Sequence, residues 1–278
     1  MKNPIQTKVS KKLIQAIVTA GTAVGLSQSS FAEDVDTELL LLVDVSGSVD
    51  SSEYNLMMGG YEQAFRSASV LTAIQGGNRG AIAVSLVFWS ANTQQATGVG
   101  WTKINNSTSA NAFADAIANT TRQYNSMTAI GSAITHGTTL FGTETGGVDN
   151  GFSSNAQIID ISGDGEDNDT PPDGDRAQNV RDARDAAMAT GIDMINGLPI
   201  GNAGGALVAY YTDNIIAGSS GGVDAFTQHA STFGDIQDTL ETKLQAEIVA
   251  GANIAPEPSS VSMFAIGACM FIFRRNRN

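Results

Sequence analysis

The chain is 278 residues long and carries a formal net charge of −13, with 15 basic residues against 28 acidic ones. The imbalance is larger within residues 33–252, where eight basic and 27 acidic side chains give −19. This charge argues against nucleic acid or an anionic membrane surface as a partner. The single cysteine, Cys269, leaves residues 33–252 without a disulfide, so their stability must come from packing or from a metal.

Residues 1–32 have the pattern of a secretory signal peptide. Four lysines precede an apolar stretch at 13–26, and "SQSSFA" follows with small residues at Ser30 and Ala32. The apolar stretch is shorter than the ~20 residues that span a bilayer, which argues against an uncleaved anchor. We therefore predict export and cleavage after Ala32.

Apolar runs of strand length alternate with helical patterns over residues 33–252. Nearly continuous apolar runs, typical of parallel strands buried on both faces, occur at 39–45, 81–88, 156–162 and 192–200. A further strand is predicted at 98–104, at an edge of the sheet.

Asp50 and Glu53 have the spacing of a capping box, which predicts a helix from this point to about Ser67. Further helices are predicted at 109–120, 130–141, 175–190 and 235–250. The glycine-rich stretch 201–224 predicts a long loop with at most one short strand. Strands that alternate with helices form βαβ units, so the predicted fold class is α/β, with a mostly parallel central sheet and helices on both faces.

Oxygen-bearing side chains follow two predicted strands and precede one predicted helix. They are Asp44, Ser46 and Ser48 after the first strand, Asp164 after the strand at 156–162, and Thr128 before the helix at 130–141. Ligand sites in open parallel sheets lie beyond the carboxyl ends of the strands. Carboxylate and hydroxyl oxygens suit Mg²⁺, whereas zinc and copper prefer thiolate or imidazole ligands. A competing interpretation is that these side chains only cap helices and turns.

The segment "DVSGS", with Thr128 and the "DG" at Asp164 further along, resembles the metal-ion-dependent adhesion site of von Willebrand factor A domains. The resemblance implies the Rossmann-like, doubly wound fold of these domains. It also implies a metal site formed by Asp44, Ser46, Ser48, Thr128 and Asp164. The metal would be Mg²⁺, or Mn²⁺ or Ca²⁺, with its last coordination position left for a carboxylate of a protein or polysaccharide partner.

The wider similarity covers most of residues 38–249. The segments "VDVSGSVDSSEY", "AIAVSLVFWS", "TAIGSAI", "IIDISGDGEDN" and "INGLPI" together resemble an uncharacterised bacterial subfamily of these domains. One departure is Gly163, which stands where many A domains have a threonine. This departure puts the hydrogen bonds around the metal ligands in doubt.

The C-terminal segment, residues 253–278, contains Pro-Glu-Pro at 256–258, an apolar run at 261–273 and three arginines. This order resembles the PEP-CTERM sorting signal of Gram-negative bacteria. The resemblance implies transient anchoring in the inner membrane, cleavage by a membrane exosortase, and delivery to the cell surface or extracellular matrix. The alternative is an ordinary anchor helix, but a run of this length rises only about 20 Å, against a hydrocarbon core of ~30 Å.

Other residues invite a functional interpretation. The acidic loop 164–175 could hold a separate Ca²⁺, but Asp169 occupies the position where an EF-hand loop has glycine, so a solvated turn is favoured. His136 and His229 have no evident catalytic partner in the sequence. Trp89 and Trp101 fit either the rim of a ligand face or the core.

We therefore predict an exported, divalent-cation-dependent adhesion or interaction module spanning residues 33–252, between a signal peptide and a sorting signal. A binding module is expected rather than an enzyme. Two alternatives remain open at this point: a metal-assisted hydrolase, and a structural matrix protein in which the metal only stabilises the fold.

Overall fold

A seven-stranded sheet forms the centre of the fold in a computed structural model, which describes residues 32–201 and 205–253. Its strands are β2 (Thr37–Asp44), β3 (Ile82–Trp89), β4 (Gln95–Ile104), β6 (Gln157–Gly163), β7 (Met194–Pro199), β8 (Ala217–Ser220) and β9 (Val223–Asp224). Their order in the sheet is β4-β3-β2-β6-β7-β8-β9. The four central strands, β3, β2, β6 and β7, are parallel, and β4 pairs antiparallel with β3 at one edge. Two short strands, β1 (Glu33–Asp34) and β5 (Phe152–Ser153), pair separately.

Seven α-helices in the described ranges cover both faces of the sheet. They are α1 (Ser51–Arg66), α2 (Ala68–Gln75), α3 (Ser107–Ala118), α4 (Ile130–Thr138), α5 (Arg176–Thr190), α6 (Ala206–Asn214) and α7 (Ile236–Ala252). Helices α1, α2, α3 and α7 pack on one face, and α4, α5 and α6 pack on the other. The predicted fold class is confirmed: the molecule is α/β, with helices on both sides of a mostly parallel sheet.

Strand β2 shows why the apolar runs in the sequence are continuous. Leu39, Leu41 and Val43 belong to the core beneath α1 and α7, while Leu40 and Leu42 belong to the core beneath α4 and α5. Successive side chains of a strand point to opposite faces. A strand covered on both faces is therefore apolar along most of its length.

Several predicted boundaries agree with local chemistry. Asp50 caps α1, accepting hydrogen bonds from the backbone of Ser52 and Glu53, and the Glu53 carboxylate accepts the Asp50 N–H in return. Helix α5 begins after its cap Asp175 and ends at Thr190, followed by the C-cap Gly191, whose φ of 119° is left-handed. Helix α4 is shorter than predicted and ends at Thr138.

The prediction of a long loop at 201–224 was wrong, because this stretch contains helix α6 followed by β8. The flanking glycines indicated a loop, but Gly205 adopts a φ of 84° and α6 begins directly after it. The helix buries Leu207 and Tyr211 against the sheet. Helix α2 was also missed. Ser67 ends α1 and at the same time caps α2, so the two helical patterns merge in the sequence.

No helix within the described ranges is long and apolar enough to cross a membrane. The predicted signal peptide and the predicted sorting signal lie outside the described residues.

Candidate metal centre

The carboxyl ends of two neighbouring parallel strands bring Asp44 and Asp164 to the same edge of the sheet. Asp44 is the last residue of β2, and Asp164 directly follows β6. Because β2 and β6 are paired in parallel, their carboxyl ends lie side by side. Ser46 and Ser48 lie in the turn that leads from β2 to α1.

Asp44 lies at the bottom of this site and is completely buried. Its Oδ1 accepts a hydrogen bond of 2.7 Å from the backbone N–H of Ser46, but Oδ2 has no partner among the described residues. Burial raises the pKa of Asp44 to about 7, and the nearby charge of Asp164 acts in the same direction. A buried carboxylate oxygen with no donor is costly, and a bound cation would offset this cost.

A chain of oxygen atoms leads from Asp44 towards the surface. The hydroxyls of Ser46 and Ser48 lie 3.2 Å apart, and the Ser48 hydroxyl donates a 2.6 Å hydrogen bond to Oδ1 of Asp164. Ser46 is buried, whereas Ser48 is exposed. Partial burial raises the pKa of Asp164, opposed by the hydrogen bond from Ser48. The structure thus brings four of the five predicted ligands into one cluster that opens to solvent on one side.

Thr128, the fifth predicted ligand, is buried and held firmly by the loop after β6. Its backbone N–H donates to Oδ1 of Asn168 at 2.9 Å, and its carbonyl accepts the N–H of Asn168 at 2.8 Å. Its role in metal binding stays a prediction.

The donor set suits a hard divalent cation. Two carboxylates and three hydroxyls are oxygen ligands of the kind that Mg²⁺, Mn²⁺ and Ca²⁺ accept. In the ranges 32–201 and 205–253, no three side chains of the His, Cys, Asp and Glu types come together as a metal-binding group. The partnerless Oδ2 of Asp44 and the hydroxyls around it therefore fit a hard divalent cation.

Two residues that the sequence reasoning missed hold the loops around the site. Arg122 donates through Nη2 to the carbonyls of Val45 and Ser46, at 3.0 and 2.6 Å. The Ser90 hydroxyl accepts the Ser126 N–H at 3.0 Å, fixing the chain just before Thr128. Ser90 could have been found, because it follows β3 at the same sheet edge. Arg122 lies in an irregular stretch, so its position in the sequence does not indicate that it is close to the site.

Gly163, the departure from the A-domain pattern, has no room for a side chain. A Cβ at this position would lie 2.8 Å from Oδ2 of Asp44 and 2.8 Å from the hydroxyl of Tyr211. A phenol from α6 therefore lies beside the position where many A domains have a threonine. No local pattern indicated this contact, because α6 itself was not predicted.

The acidic loop 164–175 is explained by its own hydrogen bonds. Asp167 is buried and accepts the backbone N–H groups of Gly131, at the start of α4, and of Thr170. Asp173 pairs with Arg176, and Asp175 caps α5. Hydrogen bonds and helix capping thus account for these three carboxylates, and residues 171–175 are exposed as expected of a solvated turn. That the loop binds no second Ca²⁺ stays a prediction.

The histidines and tryptophans lie apart from this chemistry. His136 is in the last turn of α4, where burial lowers its pKa, and it lines a groove of about 480 Å³. The ring of His229 contacts the carbonyl of Gly201 at 2.7 Å. Trp89 is completely buried, and Trp101 packs edge-on against Phe141. For both tryptophans the core-packing interpretation applies.

Solved structures with a similar fold include a von Willebrand factor type A protein from Catenulispora acidiphila (12% identity, 77% of this chain and 43% of that chain, TM-score 0.51). The pilus adhesin SpaC from Lactobacillus rhamnosus GG is also similar (13% identity, 78% and 31%, TM-score 0.51). A third is proximal thread matrix protein 1 from the mussel byssus, with a zinc-occupied MIDAS motif (15% identity, 80% and 49%, TM-score 0.49).

At these identities the likeness shows the fold alone, and the von Willebrand factor A fold predicted from the sequence is confirmed. This chain spans half or less of the length of those three structures. No curated protein matches the sequence. The model of the family described as "Protein of unknown function (DUF1194)" matches residues 34–252, so the chain belongs to the DUF1194 family.

Proposed function

We propose that this protein is a divalent-cation-dependent adhesion or interaction module that binds an acidic group of its partner through the metal. The observation that carries the proposal is the partnerless Oδ2 of buried Asp44, at the bottom of a line of oxygen atoms that reaches the surface at Ser48 and Asp164. Helix capping alone does not explain this arrangement, because Asp50, not a member of the cluster, caps α1.

The chain's own residues would hold the cation as follows. Asp44 and Asp164 supply negative charge, and the hydroxyls of Ser46, Ser48 and Thr128 supply neutral oxygens. These five side chains would supply five oxygens, whereas Mg²⁺ takes six ligands in octahedral geometry. A carboxylate of the partner would supply the remaining oxygen.

The negative charge of the domain favours an acidic partner that contacts it only at the metal. Residues 33–252 carry −19, and an acidic partner would be repelled by most of this surface. The metal would therefore control binding, because without it the acidic partner meets only like charge. A chelator that removes the metal should therefore abolish binding of the acidic partner and not merely weaken it.

The setting we propose is outside the cell. Export by residues 1–32 and sorting through residues 253–278, with exosortase as the processing partner, would place the domain at the cell surface or in extracellular matrix. A protein or a uronic-acid polysaccharide could present the carboxylate. The domain itself would perform no catalysis.

The experiment uses Mn²⁺ as a paramagnetic probe. Manganese bound at a site with an open position keeps an exchangeable water, so it raises the relaxation rate of solvent water protons. Adding acetate should lower this rate by displacing the water, whereas the uncharged acetamide should not. Ser48→Ala should weaken Mn²⁺ binding, and Ser52→Ala, an exposed serine four residues further on, should not. If acetate and acetamide act alike, the metal has no position for a carboxylate and the proposal is wrong.

A further inference from the structure

The ring of Tyr211 reaches the metal centre through a slot made by two glycines. Gly163 lies at the end of β6 and Gly197 lies in the neighbouring strand β7. A Cβ at Gly197 would lie 2.7 Å from Cδ1 of Tyr211, and a Cβ at Gly163 would lie 2.8 Å from its hydroxyl. A Cβ at either position would force the phenol to shift. The two glycines thus make room for a side chain that comes from α6, above the sheet.

The hydroxyl at the end of this ring is completely buried and has no hydrogen-bond partner among the described residues. Oδ2 of Asp44 is in the same condition. Both atoms lie 2.8 Å from the same point, the position of a Cβ on Gly163, so they are at most twice that distance apart. The Tyr211 hydroxyl can donate a hydrogen bond, and the carboxylate oxygen of Asp44 can accept one. Buried polar groups rarely stay unpaired, so a donor and an acceptor held this close together are candidates to pair.

We propose that Tyr211 is a positioning residue for the metal centre, donating its hydroxyl hydrogen to Oδ2 of Asp44 when the site holds its cation. The hydrogen bond would fix the rotation of the Asp44 carboxylate and hold it at the orientation that the metal requires. Residues that orient metal ligands in this way typically contribute 10- to 100-fold in metal affinity. This inference rests on the proposed function, because it needs a metal at Asp44.

The neighbouring residue ties the same helix to the other side of the site. The hydroxyl of Tyr210 accepts the backbone N–H of Asp167 at 3.3 Å, and Asp167 in turn holds the start of α4, two residues after Thr128. Two consecutive tyrosines of α6 therefore lie beside Asp44 and beside Asp167, in the loop that holds Thr128. We expect α6 to be part of the metal site and not only a cover of the sheet.

The test compares Tyr211→Phe with Tyr61→Phe in the full chain. Tyr61 is also completely buried, and its hydroxyl contacts Ser162 in β6 at 3.1 Å from the opposite face of the sheet. Removing either hydroxyl leaves the ring in place. By calorimetric titration with Mn²⁺, Tyr211→Phe should weaken binding about 10- to 100-fold. Tyr61→Phe should bind as the wild type does, even if it unfolds at a lower temperature.

A spectroscopic measurement keeps the inference open to refutation if Tyr211→Phe does not fold. A 3-fluorotyrosine placed at position 211 alone should give a fluorine resonance that moves when Mg²⁺ is added, and one at position 61 should not move. Wild-type affinity in Tyr211→Phe, or a resonance at position 211 that ignores Mg²⁺, overturns the inference while leaving the metal site intact. A wild type that binds neither Mn²⁺ nor Mg²⁺ refutes the proposed function itself.

Discussion

Gly163 and Asp44 are in such close contact that a Cβ on the glycine would lie 2.8 Å from Oδ2 and 3.2 Å from Cβ of the aspartate. The backbone of β6 therefore forms one wall of the space around the Asp44 carboxylate. Asp44 has little freedom to move away, because it is completely buried and its Oδ1 is bonded to the Ser46 N–H. The shape of the metal centre thus depends on a position that contributes no side chain.

Gly163→Ala should damage the metal centre. The added methyl would press on the Asp44 carboxylate and on the Tyr211 hydroxyl, and overpacking of this kind costs about 1–3 kcal/mol of unfolding free energy. Metal affinity should fall as well, because the carboxylate is displaced. The control is Gly165→Ala two residues later, where a Cβ meets no atom within 4 Å. Equal effects of the two substitutions on Mn²⁺ titration and urea unfolding would contradict the described packing.

Metal affinity should depend on pH through Asp44. Burial raises the pKa of this carboxyl to about 7, so below that pH it is mostly protonated in the metal-free protein. A protonated carboxyl must lose its proton before it binds a cation, so affinity should rise with pH and level off above about pH 7. Titrations in buffers of different ionisation enthalpy would show a proton released at about pH 6 and none at about pH 8. Affinity that does not change between these values would contradict the prediction.

Lys243 should be essential for stability. Its ammonium group is completely buried and pairs with Asp160, at 2.7 Å, and with Glu247, whose pKa burial raises to about 7. Lys243→Met would leave two buried carboxyl groups without a cation and should cost about 3–5 kcal/mol. The exposed pair of Lys103 with Glu33 is the control, since Lys103→Met should cost no more than about 1 kcal/mol.

The loss in Lys243→Met should also depend on pH. Without the lysine, the two carboxyls are buried uncharged and their pKa values in the folded state rise further. Between their unfolded and folded pKa values the folded chain binds more protons, so stability falls as pH rises. Urea unfolding in the presence of a chelator should therefore show a larger loss at about pH 8 than at about pH 5. The opposite trend would mean that the carboxyls do not remain buried.

Arg122→Gln should weaken metal binding without destroying the fold. The guanidinium of Arg122 holds the carbonyls of Val45 and Ser46 and so fixes the turn that carries two predicted ligands. Loss of such support typically reduces metal affinity about 10- to 100-fold. The control is Arg66→Gln, because Arg66 pairs with the surface residues Glu62 and Asp115. The measurement is a Mn²⁺ titration of both variants. An unchanged Mn²⁺ affinity in Arg122→Gln would show that the hydrogen bonds from Arg122 are not needed to hold the turn.

Local patterns made most of the fold predictable. The continuous apolar runs identified the parallel strands because both faces of the sheet are covered, and the pair Asp50 and Glu53 marked the start of α1. Four of the five predicted ligands come together because the carboxyl ends of parallel neighbours must lie at one edge. Predicting that these four residues lie together required only the positions of the strands and their parallel direction.

The surroundings of the ligands were not predictable in the same way. Tyr211 lies 167 positions after Asp44 and comes near it through a slot lined by Gly163 in β6 and Gly197 in β7, which are two residues apart in the strand register. No local pattern encodes such a contact, and the glycines that flank α6 in the sequence indicated a loop. Arg122 likewise acts on backbone carbonyls, which any residue type could provide. The sequence thus predicts the ligands better than it predicts the residues that hold them.

The most direct measurement of the central claim is thermal unfolding of wild type and Asp44→Ala, each with excess Mg²⁺ or Mn²⁺ and with a chelator. Metal at 100 times its dissociation constant should add about 2.7 kcal/mol to the wild type. At roughly 2–4 °C per kcal/mol for a domain of this size, the Tm should rise by about 5–10 °C. We predict this rise for the wild type and none for Asp44→Ala. A wild type that unfolds at the same temperature with metal and with chelator would contradict the account, and the cluster around Asp44 would then be a buried turn without a cation.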